Sequence, residues 1–236
     1  MTKTLGFLAT IILAVAVSAL PSHADTTLTL TGTGAGNVLD GIYTSPYTGT
    51  VGTATNTPII CDDFADEVYL GESWSATASS VASLAGNVKW ASESNAQQNY
   101  EIAAWLAEQL LSSSNATDSE DISYAIWLAL DNGDVTSYLT SYPDPTTLSA
   151  AQGWITAAEN AITTQNLTAA NFANVLVYTP VAGTATDCNG GKCTGSPQEF
   201  LVVTPEPSSI LLLVVGLAVL VGFARRRRDA TEPAAI

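Results

Sequence analysis

Polar and apolar residues alternate one for one through Thr27-Leu28-Thr29-Leu30-Thr31, so a strand there puts its leucines on one face and its threonines on the other. Strand character continues in short pieces to about Ser83. Gly32 to Asn37 reads as a turn region, and Leu39-Asp40-Gly41-Ile42-Tyr43 and Tyr47-Thr48-Gly49-Thr50-Val51 read as short strands. Pro58-Ile59-Ile60-Cys61 leads into Asp62-Asp63-Phe64. Val68-Tyr69-Leu70 and Trp74 to Ala78 predict a hairpin closed at Gly71-Glu72. The Thr and Val content suits a pleated, half-buried surface.

The period then changes. Asn99 to Leu111 predicts a helix, because Ile102, Trp105, Leu106 and Leu110 recur at three and four with alanines between them. A second helix is expected with Asp118 as N-cap, Glu120 and Asp121 in its first turn, and an apolar stripe of Ile122, Ala125, Ile126, Ala129 and Leu130. Asp131-Asn132-Gly133-Asp134 is expected to stop it. A third helix follows Pro143-Asp144-Pro145, with Leu148, Ala151, Ile155, Ala158 and Ile162 on one side. Phe172 to Tyr178 and Phe200 to Val203 return to strand, separated by a Gly-rich loop from Gly183 to Pro197. The expected fold class is α+β: a sheet-rich body with an inserted helical layer, plus an N-terminal signal peptide and a C-terminal transmembrane helix.

The two ends carry the address. Lys3 and the apolar core Leu5 to Leu20 precede Ser22-His23-Ala24, whose small residues at −3 and −1 predict signal-peptide cleavage after Ala24. At the other end, Pro205-Glu206-Pro207 lacks two N–H donors and stays extended, open to a protease. Ile210 to Ala224 is an uncharged run of fifteen residues, about 22 Å of helix against about 30 Å of hydrocarbon. Arg225, Arg226, Arg227 and Arg228 then form a stop-transfer cluster. Pro-Glu-Pro, apolar run and arginine cluster together resemble the PEP-CTERM sorting signal of bacteria. The resemblance implies an exosortase-type membrane peptidase as partner, a precursor held in the inner membrane by its C-terminal helix, and release to the cell surface or the extracellular polysaccharide. The expected divisions are 1–24 signal peptide, 25–203 extracytoplasmic domain, 204–228 sorting and anchor segment, and 229–236 cytoplasmic tail.

Composition narrows the chemistry of residues 25–204. Two lysines, Lys89 and Lys192, stand against nineteen Asp and Glu, a net charge of −17 that repels nucleic acid and anionic membrane surfaces. The only His is His23, the only Met is Met1, and every Arg lies in the tail. Histidine-dependent triads, imidazole metal sites and bidentate Arg clamps on phosphate are therefore excluded from the exported domain. No enzyme activity, cofactor or metal is expected.

Three cysteines remain. Cys188 and Cys193 enclose four residues, two of them glycine, and a disulfide between them is expected in an exported protein, worth about 2 kcal/mol by loop entropy. A two-thiolate metal knuckle is the alternative. Cys61 follows an apolar strand and reads as a buried thiol. A strand Cys-Asp upstream of Ala103-Ala104-Trp105-Leu106 and Ser123-Tyr124-Ala125-Ile126-Trp127 resembles the surface thioester domains of bacterial adhesins. That resemblance implies a bond between the strand cysteine and a helix glutamine, formed with loss of ammonia. Cys61 matches the cysteine, but Ser123 stands at the glutamine position and has no acyl carbon, so the site is degenerate.

The acidic groups Asp62-Asp63-Asp66-Glu67 and Asp131 to Asp134 could hold calcium through carboxylate oxygens, although neither has the spacing of an EF-hand loop. Trp74, Trp90, Trp105, Trp127 and Trp154 offer either core or a sugar-stacking platform. The expected function is a non-enzymatic surface or matrix protein, associated with exopolysaccharide or biofilm. The alternatives are a covalent thioester adhesin and a carboxylate-based glycoside hydrolase.

Overall fold

A computed structural model describes residues 25–142, 146–188, 193 and 195–204. The expected signal peptide with Ala24, the Pro205-Glu206-Pro207 motif, the apolar run and Arg225 to Arg228 lie outside the described residues. No helix among those described is long and apolar enough to cross a membrane.

The body is a closed barrel of six antiparallel strands. β1 (Thr26–Gly32), β4 (Tyr47–Val51), β5 (Ala54–Cys61), β6 (Ser73–Ser80), β7 (Val175–Pro180) and β8 (Phe200–Val203) are joined in the order β1-β4-β5-β8-β7-β6 and back to β1. β2 (Val38–Leu39) and β3 (Ile42–Tyr43) form a separate small hairpin. Its turn sits on Asp40 and Gly41, both at positive φ, the conformation that an Asp-Gly pair adopts most readily. Between β6 and β7 the chain inserts α1 (Ala96–Ser112), α2 (Ala116–Leu130), α3 (Asn132–Ser141), α4 (Thr146–Thr164) and a 3₁₀ turn, Ala169–Phe172.

Alternation places two apolar sets on two faces. Leu28 of β1 pairs with Trp74 of β6, and Cys61 of β5 pairs with Phe200 of β8, so these side chains share a face. Phe200 stacks on Trp74 at 5.8 Å and meets Tyr47 edge-on at 6.2 Å, each contact reaching past an intervening strand through the barrel interior. A six-stranded interior is narrow. Gly49 keeps it open: a Cβ there would lie 2.8 Å from Cδ1 of Ile59 and 3.1 Å from the Thr29 carbonyl. The opposite face of β5, β8 and β7 presents Ile60, Leu201, Val177 and Val175, all fully buried beneath the helices. α2 is the centre of the helical layer; nine of its fifteen residues are buried, and it packs against α1, α3 and α4.

Several local expectations are corrected. Val68 to Leu70 is not a strand; Gly71 and Glu72 bond instead to Leu30 at the end of β1, and the Glu72 carboxylate accepts the Tyr69 N–H at 2.9 Å. Asn115, not Asp118, caps α2, its side chain accepting from the N–H of Thr117 at 3.1 Å. Asp131 does end α2, but its carboxylate also accepts the N–H of Asp134 and so starts α3, which the sequence reading missed. β7 begins at Val175, because Phe172 belongs to the 3₁₀ turn.

Because the narrow interior is filled by few side chains, Phe200→Ala should lower stability by about 3–5 kcal/mol through cavity formation. Gly49→Val should lower it by about 1–3 kcal/mol through overpacking. Urea unfolding of the two variants would check both, and an unchanged midpoint for Phe200→Ala would contradict the assignment of that ring to the interior.

Candidate functional site at the barrel–helix junction

Where β5 ends, five successive residues are buried: Ile59, Ile60, Cys61, Asp62 and Asp63. A strand buried on both faces is normally apolar throughout, and here it finishes on a thiol and two carboxyls. Cys61 lies on the inner face near Tyr47, with the Trp127 indole of α2 beside it. Its backbone N–H donates to the Ser45 hydroxyl at 3.0 Å, and the Ser45 N–H donates to Oγ of Ser123 at 3.1 Å. The Ser123 hydroxyl in turn donates to the Ser119 carbonyl at 2.9 Å. The two residues singled out by the motif are thus tied together through Ser45, across 78 positions of chain in the case of Ser45 and Ser123. Nothing in the sequence pointed to Ser45.

The Cys61 thiol is not activated. Burial pushes its pKa well up, and the charge of Asp63 adds to this; the thiol donates to the Asp63 carbonyl at 3.1 Å. A reactive thiolate needs a cation or a helix N-terminus beside it, and this site supplies carboxylates.

On the outer face the β5–β8 ladder continues one step past Cys61 and Phe200, the Asp62 N–H donating to the Glu199 carbonyl at 3.3 Å. Asp62 and Glu199 are therefore cross-strand neighbours, and both are fully buried. Glu199 is well partnered: it accepts from the hydroxyls of Tyr100 and Thr179, each at 2.5 Å, and from the Lys89 N–H at 3.0 Å. Neither carboxyl oxygen of Asp62 has a hydrogen-bond partner among the described residues. Burial, then the charges of Glu199 and Asp63, hold its pKa well above the ordinary range. Two opposed carboxylates in a sealed site cannot both ionise cheaply, so Asp62 keeps its proton. Burial also raises Asp63 and Glu199, against the hydrogen bonds that favour their charged forms.

Asp63 and Asp66, offered above as calcium ligands, instead meet the Lys89 ammonium. Sequence offered a faint signal for this lysine, as one of two cations in a domain of nineteen acids. Glu199 is equally legible, as the one charge preceding the apolar run Phe200 to Val203. Of the tryptophans, Trp74 and Trp127 are buried in the core and present no platform for a sugar.

Cys188 and Cys193 are bonded, and Cys61 is free and buried, as the spacing and context indicated. The buried Glu72 carboxylate lies within 4.8 Å of both sulfurs. With the sulfurs bonded to each other no thiolate is available, and the metal-knuckle alternative falls away.

Starting at the last residue of β8, residues 203–228 match the family model of the PEP-CTERM protein-sorting motif. The chain carries that signal. The motif marks an exported protein processed at the membrane, and exosortase is the partner that recognises it. No curated protein and no solved structure matches the chain.

The raised carboxyls set the pH dependence. An acid whose folded pKa exceeds its unfolded value binds its proton more tightly in the folded state, so its stabilising contribution is complete below the unfolded pKa and fades as pH rises. Asp121, lifted by burial and by Asp118 and Glu120 from 3.8 to about 6, loses its contribution across that interval. Asp62, Asp63, Glu199 and Asp131 shift in the same direction. The urea midpoint should therefore fall as pH rises from about 4 to about 7. Asp62→Asn should raise the midpoint at neutral pH and flatten the profile; a flat wild-type profile would contradict the protonated Asp62.

Proposed function

We propose that this chain is a non-enzymatic structural protein of the cell surface or extracellular matrix, delivered by its PEP-CTERM signal and associated with extracellular polysaccharide. The observation that carries this reading is the junction between motif and fold. β8 fills the space between β5 and β7, and Thr204 immediately after it donates its N–H to the Asn174 carbonyl at 2.8 Å. The motif match begins at residue 203, so cleavage beyond Thr204 removes the sorting segment and leaves the barrel closed. A non-enzymatic role is further supported by the burial of the chemically capable groups. Cys61, Asp62, Asp63 and Glu199 are all sealed from solvent, and a hydrolase needs its carboxyls open to substrate.

The covalent-adhesin alternative draws support from one feature, the meeting of Cys61 with Ser123 through Ser45. The chemistry does not follow, because a serine hydroxyl cannot become an acyl donor to the thiol. Gln97, in the first turn of α1, donates to the Val81 carbonyl and the Glu101 carboxylate.

The protein recovered from native cells should begin at Asp25 and lack Arg225 to Arg228, as terminal peptide mapping would show. Full-length protein retained in the membrane fraction would make the tail a permanent anchor. The same material should form no methylamine adduct. An adduct abolished by Cys61→Ala would overturn the structural reading in favour of the covalent adhesin.

A further inference from the structure

Lys89 lies in the segment between β6 and α1, and its Nζ rests on Oδ1 of Asp63 and 2.8 Å from Oδ2 of Asp66. The Asp63 side chain is 1% exposed and that of Lys89 25%. Both residues are held from their backbones as well. The Lys89 N–H is bonded to the Glu199 carboxylate at 3.0 Å. Asp63 Oδ1 accepts from the N–H groups of Ala65 and Asp66 at 3.1 and 3.2 Å, and Oδ2 accepts from the Glu199 N–H at 3.3 Å. The Trp90 ring, 5.2 Å from Nζ at its centroid, walls one side. An amine and a carboxyl are thus fixed in contact, with their ordering supplied by the fold rather than by the encounter.

We propose that Lys89 and Asp63 condense to an intramolecular amide that fastens the segment before α1 to the end of β5. The arrangement supplies each part of the reaction. Asp66 Oδ2 takes a proton from Nζ, and the freed amine attacks Cγ of Asp63 in its protonated form. The three backbone N–H groups around Asp63 receive the charge that develops on oxygen in the tetrahedral intermediate. Asp66 gives that proton to the departing hydroxyl, takes the second proton from the nitrogen, and releases it to solvent through its partly exposed side chain. One C–N and one O–H bond form, one C–O and two N–H bonds break, and one water and one proton leave; no oxidant or cofactor enters. Burial favours the protonated form of Asp63, while the two carboxylates hold Lys89 as an ammonium. The reaction therefore draws on the minor neutral pair, which the low dielectric of the junction stabilises relative to water, and it is slow beside folding. The product replaces a desolvated ion pair by a neutral covalent link.

The test uses the processed protein from native cells, denatured and reduced. Its mass should fall about 18 Da below that of the sequence between its mapped termini, the mass of the water released. Trypsin should cut after Lys192 and not after Lys89, because acylation removes the charge that trypsin reads. Cleavage after Glu67 and Glu72 with a glutamate-specific protease should leave Asp63 and Lys89 joined in one cross-linked peptide that survives methylamine. In the full-length chain Lys89→Arg keeps the positive charge; its product should regain the full mass, be cut at residue 89 and melt at lower temperature. Full mass with cleavage after Lys89 in the native protein would overturn the proposal, whether or not the variant folds. A deficit of about 17 Da that methylamine removes would overturn it too, placing a thioester at Cys61 instead.

Discussion

Closure of the barrel by its last strand is the constraint on which the rest of the molecule depends. β8 is four residues long, yet it supplies both missing ladders, pairing with β5 on one side and β7 on the other. Without it two strand edges would stand open, with unpaired N–H and C=O groups buried under the helical layer. The same strand delivers Phe200 to the interior and Leu201 to the outer face, so one short segment unites the barrel core with the helix interface. Thr204, bonded to Asn174, is the last described residue before the Pro-Glu-Pro of the sorting motif.

The second organising feature is the placement of charge. The exported domain is strongly acidic, and most of its carboxyls can be solvated at the surface, where repulsion is weak and screened. Asp62, Asp63 and Glu199 are different: they sit in the seam between barrel and helices, where each charge must find a partner or a proton. Glu199 has hydroxyls and an amide, Asp63 has amides and Lys89, and Asp62 has neither. A seam of this kind loses stability as pH rises towards neutrality. It also brings a lysine and an aspartate into a proximity that an apolar seam would not create.

The inner side of the same strand end tells a related story. Cys61, Ser45 and Ser123 form a continuous hydrogen-bonded bridge from barrel to α2. Ser123 connects the two layers through its hydroxyl and offers no acyl carbon to the thiol. Burial and neighbouring carboxyls leave that thiol inert.

Much was legible in the sequence because local physics decided it. Period-two alternation at Thr27 to Thr31 placed Leu28 and Leu30 in the core, and the three-and-four spacing found α1, α2 and α4 to within a few residues. The short Cys188–Cys193 loop could close on itself with little else involved. The sorting motif, too, is a linear pattern, read without any fold. What the sequence left undecided was long-range. Val68 to Leu70 has strand composition, but Tyr69 bonds to Glu72 while Gly71 and Glu72 bond to Leu30 of β1, and Asp131 serves two helices where a single stop was expected. Ser45 and Ser123, Lys89 and Asp63, and Asp62 and Glu199 are brought together only by tertiary contacts between distant segments, with 136 positions separating Asp63 from Glu199. Burial, and with it the protonation and reactivity of these groups, depends on neighbours that only the closed tertiary structure supplies.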